Sequence, residues 1–151
     1  MSDRAKSIRD GSRQRWQGML ESLVDLTDAD LARILRVDRP AAEVFAEQRA
    51  PGVADLPPAA ADARPFHAAV VERRAAFALT DAAADPRWRD APAAALGFPS
   101  YLGLPLFWPG GAFFGVVEIF ARRPGLFAAA HRRLLEQVRH GIETDEIRGT
   151  R

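Results

Sequence analysis

Two apolar runs separated by a short turn place the strongest constraint on the fold of this chain. The runs cover residues 101–108 and 113–120, and Pro109-Gly110-Gly111-Ala112 joins them. Short connections that contain glycine between β-prone runs are typical of β-hairpins. The sequence therefore predicts an antiparallel hairpin, and with it a fold that has a sheet at its centre.

Apolar residues spaced three and four apart predict an amphipathic helix at each end of the chain. The first stripe consists of Trp16, Met19, Leu20, Leu23 and Val24. The closing stripe consists of Phe127, His131, Leu134, Leu135, Val138 and Ile142. We therefore expect one helix before the strands of the sheet in the sequence and another after them.

The segments between these helices are shorter. Residues 31–37 and 43–47 predict a first hairpin, 66–73 a short helix and 75–79 a strand, whereas 81–96 have the pattern of irregular turns. The Pro- and Ala-rich stretch 49–65 has neither period and predicts a surface connection. Thr27-Asp28-Ala29-Asp30 permits either a second short helical turn or an immediate turn into the first strand. This order predicts an α+β fold with a mostly antiparallel sheet covered by helices.

Size and composition favour one domain. The chain has 151 residues, of which 48% are hydrophobic and 27% charged. A net charge of +1 with interspersed arginines and acids gives no attraction for nucleic acid or an anionic membrane. No cysteine is present, which excludes disulfides, thiolate metal sites and cysteine nucleophiles. Without a signal-peptide pattern or an apolar window of about 18 residues, we expect a cytoplasmic protein.

Glu118 and His67 are the residues most suggestive of chemistry. Glu118 lies in a run that is otherwise apolar on both faces, so it is exposed, paired with an arginine, or a pocket-lining acid with a perturbed pKa. His67 is either a partly exposed or hydrogen-bonded residue, or a pH-sensing or haem-ligating one. No Gly-rich phosphate loop, Ser-His-Asp pattern or metal-ligand spacing accompanies them. We therefore expect no metal site and no catalytic residue.

Four short motifs carry a family resemblance. They are Asp85-Pro86-Arg87-Trp88, the run 100–106 (Ser-Tyr-Leu-Gly-Leu-Pro-Leu), the run 108–111 (Trp-Pro-Gly-Gly) and Phe114-Gly115. Together they resemble the GAF domain, a ligand-binding and dimerising module of signalling proteins. The chain departs from the family pattern at Val116, Glu118 and Ala121, where a hydroxyl, a thiol and an acid are common. The resemblance extends over residues 16–142, and it divides the chain into a flexible segment (1–14), a GAF domain (15–144) and a tail (145–151).

The resemblance implies a six-stranded antiparallel sheet with the terminal helices on one face and short helices and loops over the other. It also implies a non-catalytic sensory domain that binds a small molecule, forms homodimers through its terminal helices and signals to an output domain such as a bacterial histidine kinase in a two-component system. That output domain is expected to lie outside these 151 residues. The residues expected to line the ligand pocket are His67, Trp88, Phe98, Tyr101 and Glu118.

Two alternatives accompany this interpretation. The chain is alternatively a purely structural dimerisation module whose pocket is filled by its own aromatic residues. An enzyme precedent exists in the free methionine sulfoxide reductase of the same fold, but that chemistry needs cysteines, which are absent here. Covalent attachment of a bilin fails for the same reason, whereas non-covalent chromophore, haem or cyclic-nucleotide binding stays open. The sequence does not identify the ligand.

Overall fold

An antiparallel sheet lies at the centre of the computed structural model, which describes residues 10–38, 42–54, 56 and 64–145. The chain order is α1 (Asp10–Thr27), β1 (Leu31–Arg36), β2 (Glu43–Arg49), α2 (His67–Arg73), β3 (Phe77–Leu79), a 3-10 turn (Ala82–Ala84), α3 (Pro92–Ala95), β4 (Ser100–Phe107), β5 (Phe113–Ala121) and α4 (Ala129–Thr144). The strand order across the sheet is β2-β1-β5-β4-β3. The predicted α+β class is confirmed.

The predicted β4–β5 hairpin forms the middle of the sheet. Leu102 pairs with Ile119, and the connecting turn is closed by a 2.8 Å bond from the Gly111 amide to the Trp108 carbonyl. Gly111 has a φ of 101°, a conformation that side-chain-bearing residues rarely adopt. The turn thus requires the glycine that identified it in the sequence.

One face of the sheet packs against both terminal helices, as predicted. Trp16, Leu20 and Leu23 of α1 share a buried cluster with Ile34 and Leu104 of the sheet, and Leu135 and Ile142 of α4 complete it. The two helices approach closely where Met19 lies against Gly141: a Cβ at that glycine would be 3.2 Å from the Met19 methyl carbon. Most of the predicted α1 stripe is therefore buried, whereas the α4 stripe buries Leu135 and Ile142 and leaves Phe127, Leu134 and Val138 partly exposed against the same cluster.

The other face is covered by α2, the 3-10 turn and α3. Its buried cluster is largely aromatic and contains Phe66, Phe77, Trp88, Phe98, Tyr101 and Phe120. Asp85 forms the turn that leads into Trp88: its Oδ1 accepts a 2.9 Å bond from the Arg87 amide, and its carbonyl accepts one from the Trp88 amide. The Asp85-Pro86-Arg87-Trp88 motif thereby places Trp88 in this cluster.

Several details differ from the sequence-based expectations. Helix α1 begins at Asp10 and ends at Thr27, where the chain turns at once into β1, with Asp28 at a φ of 57°. Five strands are found among the described residues, whereas the family pattern predicted six. Much of the predicted 49–65 connection, and the terminal stretches 1–9 and 146–151, lie outside the described residues. Among the described helices, none combines the length and apolar character needed to cross a membrane.

Candidate functional site

The register of the three central strands brings charged residues together on the aromatic face. Arg33 of β1 lies directly opposite Glu118 of β5, and Gly103 of β4 lies opposite Glu118 on its other side. Arg33 donates two hydrogen bonds to Glu118 Oε2, from Nε at 2.9 Å and from a terminal guanidinium nitrogen at 2.7 Å. The charged pair therefore follows from strand register, as directly opposed side chains on one face are the closest neighbours across a sheet.

Gly103 allows a third residue to reach this pair. The Tyr101 ring lies across Gly103, and a Cβ added at that glycine would be 2.3 Å from the Tyr101 hydroxyl oxygen. With that space open, Tyr101 Oη donates a 2.6 Å hydrogen bond to Glu118 Oε1. Each oxygen of the Glu118 carboxylate consequently has a partner.

The site is almost completely removed from water. Glu118 and Tyr101 are both 0% exposed, and the Arg33 side chain is 8% exposed. Burial, reinforced by the neighbouring Glu118 charge, raises the pKa of Tyr101 well above its ordinary value, so its hydroxyl stays protonated and donates. The Arg33 guanidinium also lies 5.2 Å from the centre of the Phe120 ring.

His67, the first residue of α2, adds an unpaired nitrogen near this cluster. Its Nδ1 is buried and has no hydrogen-bond partner among the described residues. Burial lowers the pKa of His67; the Glu118 charge opposes this effect and the Arg33 charge adds to it. The imidazole is therefore neutral at neutral pH, and the part of the chain that the structure describes supplies no partner for its buried Nδ1.

Aromatic rings surround the polar residues. Phe66 lies with its ring centre 5.1 Å from that of Tyr101 and 6.0 Å from that of Trp88. Phe120 lies 5.1 Å from Tyr101 and 5.8 Å from Phe98. Phe66 thus lies between Trp88 and Tyr101, and Phe120 lies between Phe98 and Tyr101.

The five residues predicted to line a pocket therefore occupy one region of the fold. Tyr101 is hydrogen-bonded to Glu118, and the charge of Glu118 acts on the pKa of His67. Trp88 and Phe98 belong to the surrounding aromatic cluster. Arg33 was missed. Its only signal in the sequence is a charge in the middle of the apolar run Leu-Ala-Arg-Ile-Leu, and identifying it requires the β1–β5 register.

Another feature of the surface lies apart from this cluster. An open depression of about 410 Å³ is lined by Thr80, Asp81, Ala84, Asp85, Pro86 and Arg87. It contains none of the predicted pocket residues. Within the described part of the chain, no group of His, Asp and Glu residues is arranged to hold a metal ion.

Sequence and structure comparisons identify the family. Residues 16–143 match the model of the GAF domain. The chain belongs to the GAF domain family. Members of this family are generally regulatory or sensory domains, and they commonly occur in multidomain signalling proteins. Comparison with curated proteins gave no match.

Solved structures share the GAF fold at low sequence identity. A type II free methionine-R-sulfoxide reductase from Thermoplasma acidophilum has a TM-score of 0.71 and 12% identity, covering 89% of this chain and 90% of its own. The GAF domain region of a putative membrane protein from Geobacter sulfurreducens has a TM-score of 0.70 and 19% identity, covering 88% and 91%. The GAF domain of an Acinetobacter phosphoenolpyruvate-protein phosphotransferase has a TM-score of 0.65 and 17% identity, covering 87% and 79%. At these identities the likeness shows the fold alone.

Proposed function

We propose that this GAF domain is a non-catalytic sensor that binds a small molecule on the aromatic face of its sheet. The ligand would contact His67, Trp88, Phe98, Tyr101 and Glu118, together with Arg33. Homodimers formed through α1 and α4 would relay its binding to an output domain, such as a histidine kinase of a bacterial two-component system in the cytoplasm.

The observation that carries this proposal is the polar cluster inside an aromatic core. Replacing a buried ion pair with apolar residues of similar volume is often neutral or stabilising, so a core that serves packing alone has no need of one. Arg33, Glu118 and Tyr101 are nevertheless buried together, beside a His67 nitrogen that has no hydrogen-bond partner within residues 10–38, 42–54, 56 and 64–145. A ligand that supplies a hydrogen-bond donor to His67 Nδ1 would complete the arrangement.

The absence of cysteine supports the non-catalytic part of the proposal. Reduction of a sulfoxide by a thiol mechanism requires a cysteine nucleophile, and the sequence contains none. We expect purified protein to reduce no free methionine sulfoxide with a dithiol reductant present.

A structural dimerisation module is the second candidate, and the aromatic packing favours it. Several ring pairs on this face are separated by 5–6 Å, as in a filled core: Phe66–Tyr101 at 5.1 Å, Phe77–Trp88 at 5.1 Å and Tyr101–Phe120 at 5.1 Å. In that case Arg33 and Glu118 would only neutralise each other's charge inside the core and would bind nothing else. The two candidates predict different results when the Arg33–Glu118 pair is removed. The sensor would lose its small-molecule ligand, whereas the structural module has no ligand to lose.

A double variant distinguishes the two candidates. Glu118→Ala alone leaves the Arg33 charge buried and should cost about 3–5 kcal/mol of the free energy of unfolding. Arg33→Met with Glu118→Leu should recover part of that loss, because the buried charge is gone but the Tyr101 hydroxyl still lacks its acceptor. The double variant therefore tests binding without abolishing the fold. Its matched control is Arg132→Met with Glu136→Leu, which removes an exposed ion pair on α4.

The readout is native mass spectrometry of protein purified from its own source, followed by denaturing mass spectrometry to identify any molecule released. We expect wild-type and control proteins to carry a stoichiometric small molecule that the folded Arg33→Met, Glu118→Leu variant lacks. A wild-type protein that is empty when isolated, and whose unfolding midpoint no metabolite raises, would support the structural module instead.

A further inference from the structure

The C-terminal end of α4 carries two carboxylates where helix electrostatics disfavour them. The carbonyl groups at the end of a helix carry a partial negative charge, which favours cations over Glu or Asp. Glu143 and Asp145 nevertheless lie at this end, and the last turn contains no basic residue. Both carboxylates are instead bonded to groups in other elements.

Asp145 binds the first turns of α1. Arg15 Nε donates to both of its oxygens, at 2.9 Å and 3.0 Å, and Trp16 Nε1 donates to Oδ2 at 3.0 Å. Trp16 is 0% exposed, so Asp145 is the acceptor for an indole N–H that water does not reach. These contacts therefore join parts of the chain that are far apart in the sequence: Asp145 follows Arg15 by 130 positions and Trp16 by 129.

Glu143 binds the β4–β5 hairpin. Its Oε2 accepts a 2.9 Å hydrogen bond from the backbone amide of Phe107. The register of the two strands shifts between Leu106 and Phe107, and such a shift interrupts the ladder of backbone bonds. The Glu143 carboxylate supplies an acceptor at this interruption.

These contacts differ from the Arg33–Glu118 pair in their access to water. The Arg15 side chain is 48% exposed and that of Asp145 is 14% exposed, whereas Glu118 is fully buried. Where α1 and α4 meet nearby, Gly141 lies against the flexible thioether of Met19. The last residues of α4 are thus held by polar contacts close to solvent, directly after Ile142, which is buried in the core.

We propose that Glu143 and Asp145 form a latch that holds the end of α4 to α1 and to the hairpin, and that residues 143–145 detach as a local unit when these contacts are lost. The latch is independent of any ligand, and so goes beyond the proposed sensor function. Elements that move in regulation come from the least stable parts of a fold, and the partly exposed Glu143 and Asp145 contacts are the basis for placing residues 143–145 among them.

Amide hydrogen exchange on the full chain tests the latch. The test variant is Asp145→Ala, and the matched control is Glu136→Ala, which removes a carboxylate bonded to Arg132 within α4. Loss of the Asp145 contacts leaves the Trp16 N–H unpaired, and we expect exchange at residues 143–145 and around Arg15 to accelerate about tenfold or more. Exchange in β5, in β4 before Phe107 and in the control should keep wild-type rates.

A second variant tests the other attachment. Glu143→Ala should accelerate exchange at Phe107 and at the end of α4, and should leave the amides around Arg15 at wild-type rates. Two results would overturn the proposal. One is an Asp145→Ala variant whose exchange matches that of Glu136→Ala. The other is acceleration throughout β4 and β5, because the contacts would then belong to the global fold rather than to a local unit.

Discussion

At the scale of single residues, the site depends on a missing side chain. Gly103 has no Cβ, and the Tyr101 ring uses that space to reach Glu118. The requirement is one of space, since Gly103 lies in the middle of β4 where a side chain would otherwise suit the strand. We therefore expect a single methyl group at position 103 to push the Tyr101 hydroxyl away from Glu118.

Gly103→Ala should lower the free energy of unfolding by about 2–4 kcal/mol, since it displaces the Tyr101 ring and removes a hydrogen bond from a buried carboxylate. Gly18→Ala is the control: Gly18 lies on the exposed side of α1 with nothing within 4 Å, and the substitution should stabilise by about 0.5–1 kcal/mol. Urea unfolding measures both changes. Equal stabilities for Gly103→Ala and wild type would contradict this account of the site.

At the scale of elements, α2 brings a titratable imidazole to the site. The helix places His67 beside Glu118 and Arg33, and burial lowers the pKa of its imidazole while the Glu118 charge partly opposes that shift. An unfolded histidine titrates near pH 6.5, so the unfolded chain binds this proton more readily than the folded one. The stability that neutral His67 contributes is complete above that pH and declines as the pH falls toward the lowered folded pKa.

His67→Gln should therefore remove part of the loss of stability on acidification. We expect the variant to show a shallower fall in the free energy of unfolding than wild type between about pH 7 and about pH 5. His140→Gln, on the exposed side of α4, is the matched histidine substitution away from the site. Urea titrations at several pH values provide the comparison, and parallel curves for wild type and His67→Gln would refute the assignment.

At the scale of the whole molecule, the proposed homodimer would join largely polar surfaces. Most of the α1 stripe, and Leu135 and Ile142 of α4, are buried against the sheet. Residues exposed on these helices include one large apolar side chain, Leu26, and the polar residues Arg13, Glu21, Asp25, Arg132, Arg133 and Gln137. Charged interfaces weaken as salt screens them. Dimerisation through these helices should consequently depend on ionic strength.

We expect the dimer dissociation constant to rise at least tenfold between about 0.05 M and about 0.5 M salt. Arg133→Glu should weaken the dimer at low salt, whereas Arg89→Glu, in the loop after Trp88 on the other side of the sheet, should leave it unchanged. Sedimentation equilibrium measures the dimer dissociation constants of wild type, Arg133→Glu and Arg89→Glu. A protein that stays monomeric at low salt, or a dimer indifferent to Arg133→Glu, would exclude this interface.

The elements were predictable because their signals are local. Apolar spacing identified α1 and α4, and Gly110-Gly111 between two β-prone runs identified the hairpin. The end of α1 was less predictable, since Thr27 and Asp28 suit either a further helical turn or a direct turn into β1. There the structure resolves the choice: Thr27 Oγ1 donates to the Leu23 carbonyl, and Asp28 adopts the left-handed conformation.

The sequence by itself determined the family, the order of helices and strands, and the unusual position of Glu118, since each depends on residues that are near one another in the chain. Only the tertiary structure decided what Glu118 binds, why Gly103 is a glycine and why α4 ends on carboxylates. Arg33 and Glu118 are 85 positions apart, and Arg15 and Asp145 are 130 apart. Contacts over such separations depend on strand register and helix packing, which a local pattern of residues does not specify.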